Sequence, residues 1–418
     1  MKTLRLPYGN EFYELNINKD FDILQKEELV PITNPRKELM RQYDNPISSK
    51  PLKELIKDKK DIIIAVSDKT RPIPYKVILN DALLPYLYEQ GFDDKNISFI
   101  IANGSHDLNL EKDKELILGK DIANKYDIYF NNCYEENDFV DIGYEKRGVK
   151  VKLNKYFVKA DFKILTGLIN PHIYAGFSGG RKSVVPGLCN TDCWKLIHGV
   201  ELMDHPGTRL GNLKNNLLHE IGTEVSRKVK VDFIINIALN SENKVSGVYC
   251  GDLEKAFELG VDQMTNKYKI KIEKKYDILI THGGGYPLDS SFYQIIKGMS
   301  SPLPYLRENG EIICIASCMD GIGTQLFVDL LKRIKSLKNW RTDLEKRDYQ
   351  MEQWTVQAYY NLFKKAKVFL FSPQLFKKEP FLQDIVNKID DIQYYIDEKI
   401  TKNPEIKIGV FLDGPYCI

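Results

Sequence analysis

Seven short apolar runs, most of them closed by polar or glycine-rich segments, constrain this chain more than any other feature of its sequence. Residues 61–67 (DIIIAVS) run into DKTRPIP, and residues 97–102 (ISFIIA) run into NGSHD. Residues 161–167 (DFKILTG) lead to a long turn ending in GFSGGRK, and 276–281 (YDILIT) lead to HGGGYP. Further runs stand at 311–316, 367–371 and 406–412. Runs of this length, rich in Ile and Val and bounded by chain breakers, read as buried strands of mainly parallel sheets. Helical periodicity fills the gaps, over 74–90, 213–228, 252–266, 322–335, 350–364 and 376–388. Strand and helix in alternation predict an α/β fold.

At 418 residues the chain is long enough for two domains. The charged stretch 266–275 (NKYKIKIEKK) is the candidate boundary. It divides an N-terminal α/β domain, 1–270, from a C-terminal one, 271–405, with the last strand, in 406–418, a candidate to return to the N-terminal sheet. A solvated strand within one domain is the plain alternative for that stretch. Sixty basic against fifty-eight acidic side chains leave a net charge of +2. Nucleic acid and anionic membranes demand a local cationic excess, so neither partner is expected. The seven cysteines contain no C-x-x-C pair, which argues against a disulfide scaffold or a zinc ribbon. No apolar stretch approaches the ~20 residues that span a bilayer, and the N-terminus has no signal-like apolar core. A cytoplasmic, reducing compartment is the expectation.

In open α/β sheets, ligands bind where loops leave the carboxyl ends of the strands. Asp68, Arg71, His106, His172 and Lys182 all follow predicted strands. The segment 171–187 (PHIYAGFSGGRKSVVPG) places Gly176, Ser178, Gly179 and Gly180 before Lys182. Glycines at this density permit an anion-binding nest of backbone N–H groups. A Walker A loop fails in register, because Arg181 stands where the second glycine belongs. A glycine-rich turn with a solvated lysine is the bland reading. Of only six histidines, His106, His172 and His198 sit at converging positions, and neutral imidazoles suit proton transfer or metal ligation. His205 and His219 read as structural, and His282 stays open. The planar Arg71 guanidinium suits a carboxylate, or else a turn held by Asp68. In 283–298 (GGGYPLDSSFYQIIKG), Asp289 or Ser290 is the expected N-cap of a helix. That helix carries Tyr293, Gln294 and Lys297 on neighbouring positions.

Together, DKTRP, NGSH, PHIYAGFSGGRKSVVPG, the histidine of LIHG and GYPLDSSFYQIIKG resemble the nickel-dependent lactate racemase (LarA-like) family of 2-hydroxyacid racemases and epimerases. The motifs occur in the family's order over residues 68–298, and QWTVQ near Trp354 extends the match. The resemblance implies two α/β domains with the active site in the cleft between them. It implies a nickel-pincer nucleotide, a pyridinium-3,5-bisthiocarboxylic acid mononucleotide carrying nickel, attached to Lys182 with His198 as metal ligand. The glycine loop, Gly176, Ser178, Gly179 and Gly180, would then lie near the cofactor's phosphate. By the same resemblance His106 and His172 are two bases, each serving one enantiomer. Arg71 and Lys297 hold the substrate carboxylate, Tyr293 and Gln294 line the site, Asp68 orients His106 or Arg71, and Trp354 walls the pocket. The implied partners are a small 2-hydroxycarboxylate, together with the proteins that build the cofactor and insert nickel. A P-loop-like phosphotransferase using Lys182 and Ser183 is the chief alternative. A Schiff base of pyridoxal phosphate at Lys182 and a non-catalytic 2-hydroxyacid sensor are the others.

Overall fold

The computed structural model describes residues 2–17, 21–106, 109–272, 274–333, 340–342 and 349–418. The chain divides into two compact units, one of residues 28–267 and one joining residues 1–27 to 268–418. Among the described residues no helix is long and apolar enough to cross a membrane.

The first unit is built on a six-stranded sheet. Its order is Val245–Gly251, Phe233–Leu239, Phe162–Leu168, Ile62–Ser67, Ile97–Ala102, Asp127–Phe130. All pairs are parallel except the edge pair of Phe233–Leu239 with Val245–Gly251. The central strands are apolar on both faces because both faces are covered. Ile62, Ile63 and Ile64 are at most 1% exposed, and burying each contributes ~1.5–3 kcal/mol. The chain starts at Ile62–Ser67, runs outward through Ile97–Ala102, and returns to Phe162–Leu168 on the other side. The loops after Ile62–Ser67 and Phe162–Leu168 therefore emerge at a topological switch point, where open α/β sheets bind ligands.

The second unit has its own six-stranded sheet, all of whose pairs are parallel. Its order is Asn387–Lys388, Lys367–Phe371, Leu306–Ile315, Tyr276–His282, Ile408–Phe411, Phe21–Leu24. The hairpin Lys2–Tyr8 with Glu11–Ile17 packs Leu4, Leu6, Leu15 and Ile17 into the same core. The C-terminal strand therefore does not return to the N-terminal sheet as expected. It lies between Tyr276–His282 and Phe21–Leu24. Gly409 explains the slot, since a Cβ there would come within 2.5 Å of Leu24 Cδ1 and 2.8 Å of Leu279 Cδ2. It is the N-terminal segment that joins the distant half of the chain.

The expected helix over 376–388 is also corrected. A helix at Pro373–Lys378 stops, a 3-10 turn follows at Pro380–Asp384, and Asn387–Lys388 is a strand. Pro380 has no N–H to continue the ladder. The helix expected over 322–335 is observed at Gln325–Lys332, with residues 334 and 335 outside the described residues.

Candidate active site

In the first unit, the strand Ile62–Ser67 ends at a buried carboxylate. Asp68 Oδ1 accepts from the Thr70 N–H (3.0 Å) and hydroxyl (2.5 Å), closing a tight turn. Its Oδ2 lies 2.5 Å from His106 Nδ1. Burial pushes this carboxyl up, but the His106 and Arg71 charges and the hydrogen bonds from His106 and Thr70 outweigh it. The result is a pKa well below the usual carboxylate range. A carboxylate can only accept, so Nδ1 of His106 carries the proton and, in the neutral ring, Nε2 keeps its lone pair. Arg71, half-buried, sends Nη1 to the Thr70 hydroxyl at 3.1 Å.

The strand Ile97–Ala102 delivers His106 through Asn103 and Gly104. Asn103 Nδ2 donates to the His106 carbonyl (3.0 Å) and the Asn131 carbonyl (2.9 Å), while its Oδ1 accepts from Asn131 N–H. Lys69 pairs with Asp113 at 3.0 Å, and Asp113 also accepts from Asn109 N–H at 3.0 Å. Lys69 thus ties the DKTRP turn to the segment after NGSH, and Asp68 ties it to His106 itself. The sequence reading missed Asn103 and Asn131, whose only signal was a polar type beside a strand end, and Asp113, an acidic residue in the first turn of the helix Leu110–Leu118.

Beyond Phe162–Leu168, a two-residue hairpin pairs Pro171–His172 with Gly176–Phe177. His172 Nδ1 accepts from the N–H groups of Tyr174 (3.3 Å) and Ala175 (3.1 Å). In the neutral ring Nε2 then holds the proton, the opposite tautomer to His106.

The glycine loop departs from the expected anion nest. Ser178 N–H is bound to Asn170 O (2.9 Å), Gly180 N–H to Asn236 Oδ1 (3.1 Å) and Lys182 N–H to Gly179 O (3.2 Å). The glycines answer to the fold itself. A Cβ on Gly176 would meet Asn212 O at 2.1 Å, and one on Gly180 the Phe257 ring at 3.2 Å. Lys182 lies half-buried in a 3-10 turn, Gly180–Ser183, rather than at the start of a long helix. This backbone does not form a phosphate loop.

Downstream, Asn190 caps the helix Thr191–Ile197 by accepting from Cys193 N–H at 3.2 Å. His198 follows it, buried, with its ring stacked on Trp194 at 4.4 Å and 11°. Nδ1 donates to Trp194 O (3.3 Å), so in the neutral ring Nε2 is the nitrogen that carries no hydrogen. Burial, reinforced by the Lys182 charge, pushes the imidazole down to about 3, so it is neutral at physiological pH. Trp194 itself was not a predicted site residue. Its ring edge rests against Gly104, where a Cβ would lie 2.7 Å from Cζ2.

In the second unit, the helix Phe292–Ser300 carries Tyr293, Gln294 and Lys297 as expected. Lys297 Nζ donates to Gln294 Oε1 at 2.7 Å. Trp354, on the helix Gln353–Phe363, meets Tyr293 edge-on at 5.4 Å, and Phe327 meets it at 5.1 Å. The N-cap is Ser291, not Asp289 or Ser290. The Asp289 carboxylate is buried instead, accepting from the N–H groups of Gly9 (2.8 Å) and Ser317 (3.2 Å). His282 has a structural role: Nε2 donates to Leu412 O (2.9 Å) and Nδ1 accepts from Gly284 N–H (3.1 Å). His205 accepts from Gly207 N–H at 3.2 Å within its own turn.

Comparison with known proteins gives this arrangement a family. Residues 8–211 match the lactate racemase N-terminal domain, and residues 271–414 match the lactate racemase C-terminal domain. The chain is 30% identical over 428 aligned residues to a lactate racemase from Thermoanaerobacterium thermosaccharolyticum, covering 100% of this chain and 99% of that protein. The chain belongs to the lactate racemase family. A second lactate racemase, from Lactiplantibacillus plantarum, is 33% identical and covers 90% of this chain and 88% of its own length. The solved structure of the T. thermosaccharolyticum lactate racemase apoprotein superposes with a TM-score of 0.90 at 28% identity, over 100% of this chain and 99% of that one. A crystal structure of a Thermotoga maritima protein, at 17% identity and TM-score 0.69, shares the fold over 93% of this chain and 98% of that one.

For a lactate racemase family member, the surroundings of Lys182 can be set against the cofactor that the motifs imply. Two buried donors close in sequence to Lys182 and His198, Ser178 Oγ and Trp194 Nε1, have no hydrogen-bond partner among the described residues. Buried donors left unpaired are costly, and both suit a phosphate- or carboxylate-bearing group. Among the described residues no three His, Cys, Asp or Glu side chains gather as a metal site. Ser178 and Trp194 thus fit a phosphate- or carboxylate-bearing group in this part of the chain.

Proposed function

We propose that this protein interconverts the enantiomers of lactate, or of another small 2-hydroxycarboxylate, by removing hydride from Cα and returning it to the opposite face. The observation that carries this reading is the His106–Asp68 pair at 2.5 Å, which holds an imidazole in the proton-accepting tautomer beside Arg71. The Cα–H of a 2-hydroxycarboxylate is a poor acid, because the adjacent carboxylate is already negative. Loss of hydride with the hydroxyl proton gives a neutral 2-keto group and avoids a carbanion. When bound, a nickel-pincer nucleotide joined to Lys182 and ligated by His198 supplies the electrophile that accepts hydride.

The chain's own groups handle the rest. Arg71 and Lys297 are assigned to the carboxylate, the first through its planar fork and the second as a point charge. His106 Nε2 takes the hydroxyl proton from one enantiomer, and His172 Nε2 is the exchanging atom for the other. Asp68 stabilises the imidazolium formed at His106, as a carboxylate behind a catalytic histidine does. Tyr293 and Gln294 line the substrate site, and Trp354 backs Tyr293. Ser178 and Trp194, whose buried donors lie close in sequence to Lys182 and His198, form the proposed seat of the nucleotide. The cofactor-synthesising and nickel-inserting proteins are the proposed maturation partners.

The test is co-expression with those proteins, followed by intact-mass measurement and incubation with enantiopure 2-hydroxyacids. An adduct on Lys182, stoichiometric nickel and racemisation of L-lactate or a close analogue are expected. A chain that carries neither adduct nor nickel and leaves every enantiomer unchanged would refute the reading.

A further inference from the structure

The arginine that spoils the phosphate-loop pattern has no task in the reaction described above. Arg181 is 2% exposed. Its Nη1 donates to the carbonyls of Phe177 (2.9 Å) and Gly179 (3.0 Å), its Nη2 to that of Ala175 (2.8 Å), and its Nε to His219 Nδ1 (2.9 Å). The guanidinium carbon stands 4.3 Å from the centre of the Phe257 ring. None of these partners is a carboxylate. A buried cation ordinarily takes an ion pair; here the fork is directed at alternate carbonyls of a single loop and curves it around one side chain.

The neighbours are cut to admit this side chain. In the helix Leu217–Lys228, a Cβ on Gly222 would lie 3.0 Å from Arg181 Cγ. His219 is on the same helix, and burial followed by the Arg181 charge holds its imidazole at about 3. It is neutral, and Nδ1 is a lone-pair acceptor. Burial alone brings the Arg181 guanidinium down to about 9, still charged at physiological pH.

We propose that Arg181, seated on His219 and Phe257, is the positioning residue for Lys182: it fixes the loop from which that side chain projects. The proposal rests on the reading of Lys182 as the cofactor-bearing residue for its purpose, but not for its geometry. A lysine stem has four rotatable bonds, so fixing its Cα end removes much of the search for one productive position. Three carbonyls drawn inward by one guanidinium achieve this without a long helix at the lysine.

Two measurements on the full chain test it. Without cofactor, limiting acetic anhydride followed by peptide mass spectrometry reads the acylation rate of Lys182 against Lys163, which is 6% exposed and bonded to Ala160 O at 2.6 Å. His219→Leu removes the acceptor and leaves Arg181 in place, whereas His219→Gln retains an acceptor oxygen. Lys182 should label at least fivefold faster in His219→Leu and within twofold of wild type in His219→Gln, with Lys163 unchanged in both. Arg181→Lys, which keeps the charge and loses the fork, should behave like His219→Leu. With cofactor-synthesising proteins present, adduct per folded chain should fall at least fivefold in His219→Leu and be kept in His219→Gln. Equal Lys182 labelling in all chains overturns the clamp, as does a parallel rise at Lys163, which would report general loosening. Differential labelling in variants of a wild-type chain that never acquires an adduct would uphold the clamp and refute the cofactor reading.

Discussion

Asp68 shows how much one carboxylate decides. It closes its own turn through Thr70, sets the tautomer of His106 and stands beside Arg71. Asp68→Asn replaces an acceptor with an amide that can present N–H to Nδ1 and so reverse the tautomer. The loaded enzyme should lose ~10²–10⁴-fold in kcat, the usual scale of acid–base assistance, with a smaller change in KM. The same residue predicts a pH effect. Its folded pKa is depressed, so below the ordinary carboxylate value of about 4 the unfolded chain binds the proton first and stability falls with pH. The stabilisation from Asp68 is complete above that value and fades as pH drops below it. Urea midpoints of wild type and Asp68→Asn should therefore differ most near neutrality, and the gap should narrow progressively as pH falls below about 4. A gap that stays constant would show that the charge does not matter to folding.

The elements that carry the site were legible where polar signals followed long β-branched runs. The strands Ile62–Ser67, Ile97–Ala102 and Phe162–Leu168 are such runs. Phe233–Leu239 was missed because Asn236 interrupts its apolar pattern. That asparagine is buried for a local reason, its Oδ1 accepting the Gly180 N–H at 3.1 Å. Trp194 was invisible for a related reason: an aromatic residue on a short helix reads as core until the structure shows it stacked on His198. The loop glycines misled in the other direction, since their type suggested a ligand while packing explains them. Gly104 links several of these elements, at φ +61 and pressed against Trp194. Gly104→Ala should cost about 1–3 kcal/mol, from left-handed strain and overpacking. It should also reduce nickel bound per chain by displacing the Trp194–His198 stack. Urea unfolding and metal analysis together check this, and full nickel occupancy in a destabilised chain would separate fold from site.

At the scale of the whole molecule, connectivity is the least legible feature. Nothing in FDIL marks Phe21–Leu24 as part of a sheet otherwise built from strands between Tyr276 and Phe411, and nothing in LPYGNEFYEL marks a hairpin that packs into the same core. Parallel pairing between such distant segments leaves no local signature. One prediction belongs here. A fragment of residues 28–267 should unfold cooperatively by itself, because its sheet and core are complete. Residues 268–418 without 1–27 should not, because Ile408–Phe411 would lose the Phe21–Leu24 strand and the core would lose the Lys2–Ile17 hairpin. Circular dichroism melts of the two fragments decide between these outcomes.

The insertion of residues 28–267 within the sequence of the other unit also dictates an order of birth on the ribosome. The segment bearing Phe21–Leu24 leaves the exit tunnel first, and its partner Ile408–Phe411 is made roughly 380 residues later. At ordinary synthesis rates of ~5–20 residues per second, that strand waits roughly 20–80 s for its neighbour. Meanwhile residues 28–267 are finished and free to fold, with Lys182, Arg181 and His219 in place. The histidine–arginine seat can thus mature before the sheet that joins the two ends of the chain exists, and the newborn N-terminal strand is the part left exposed to wrong partners.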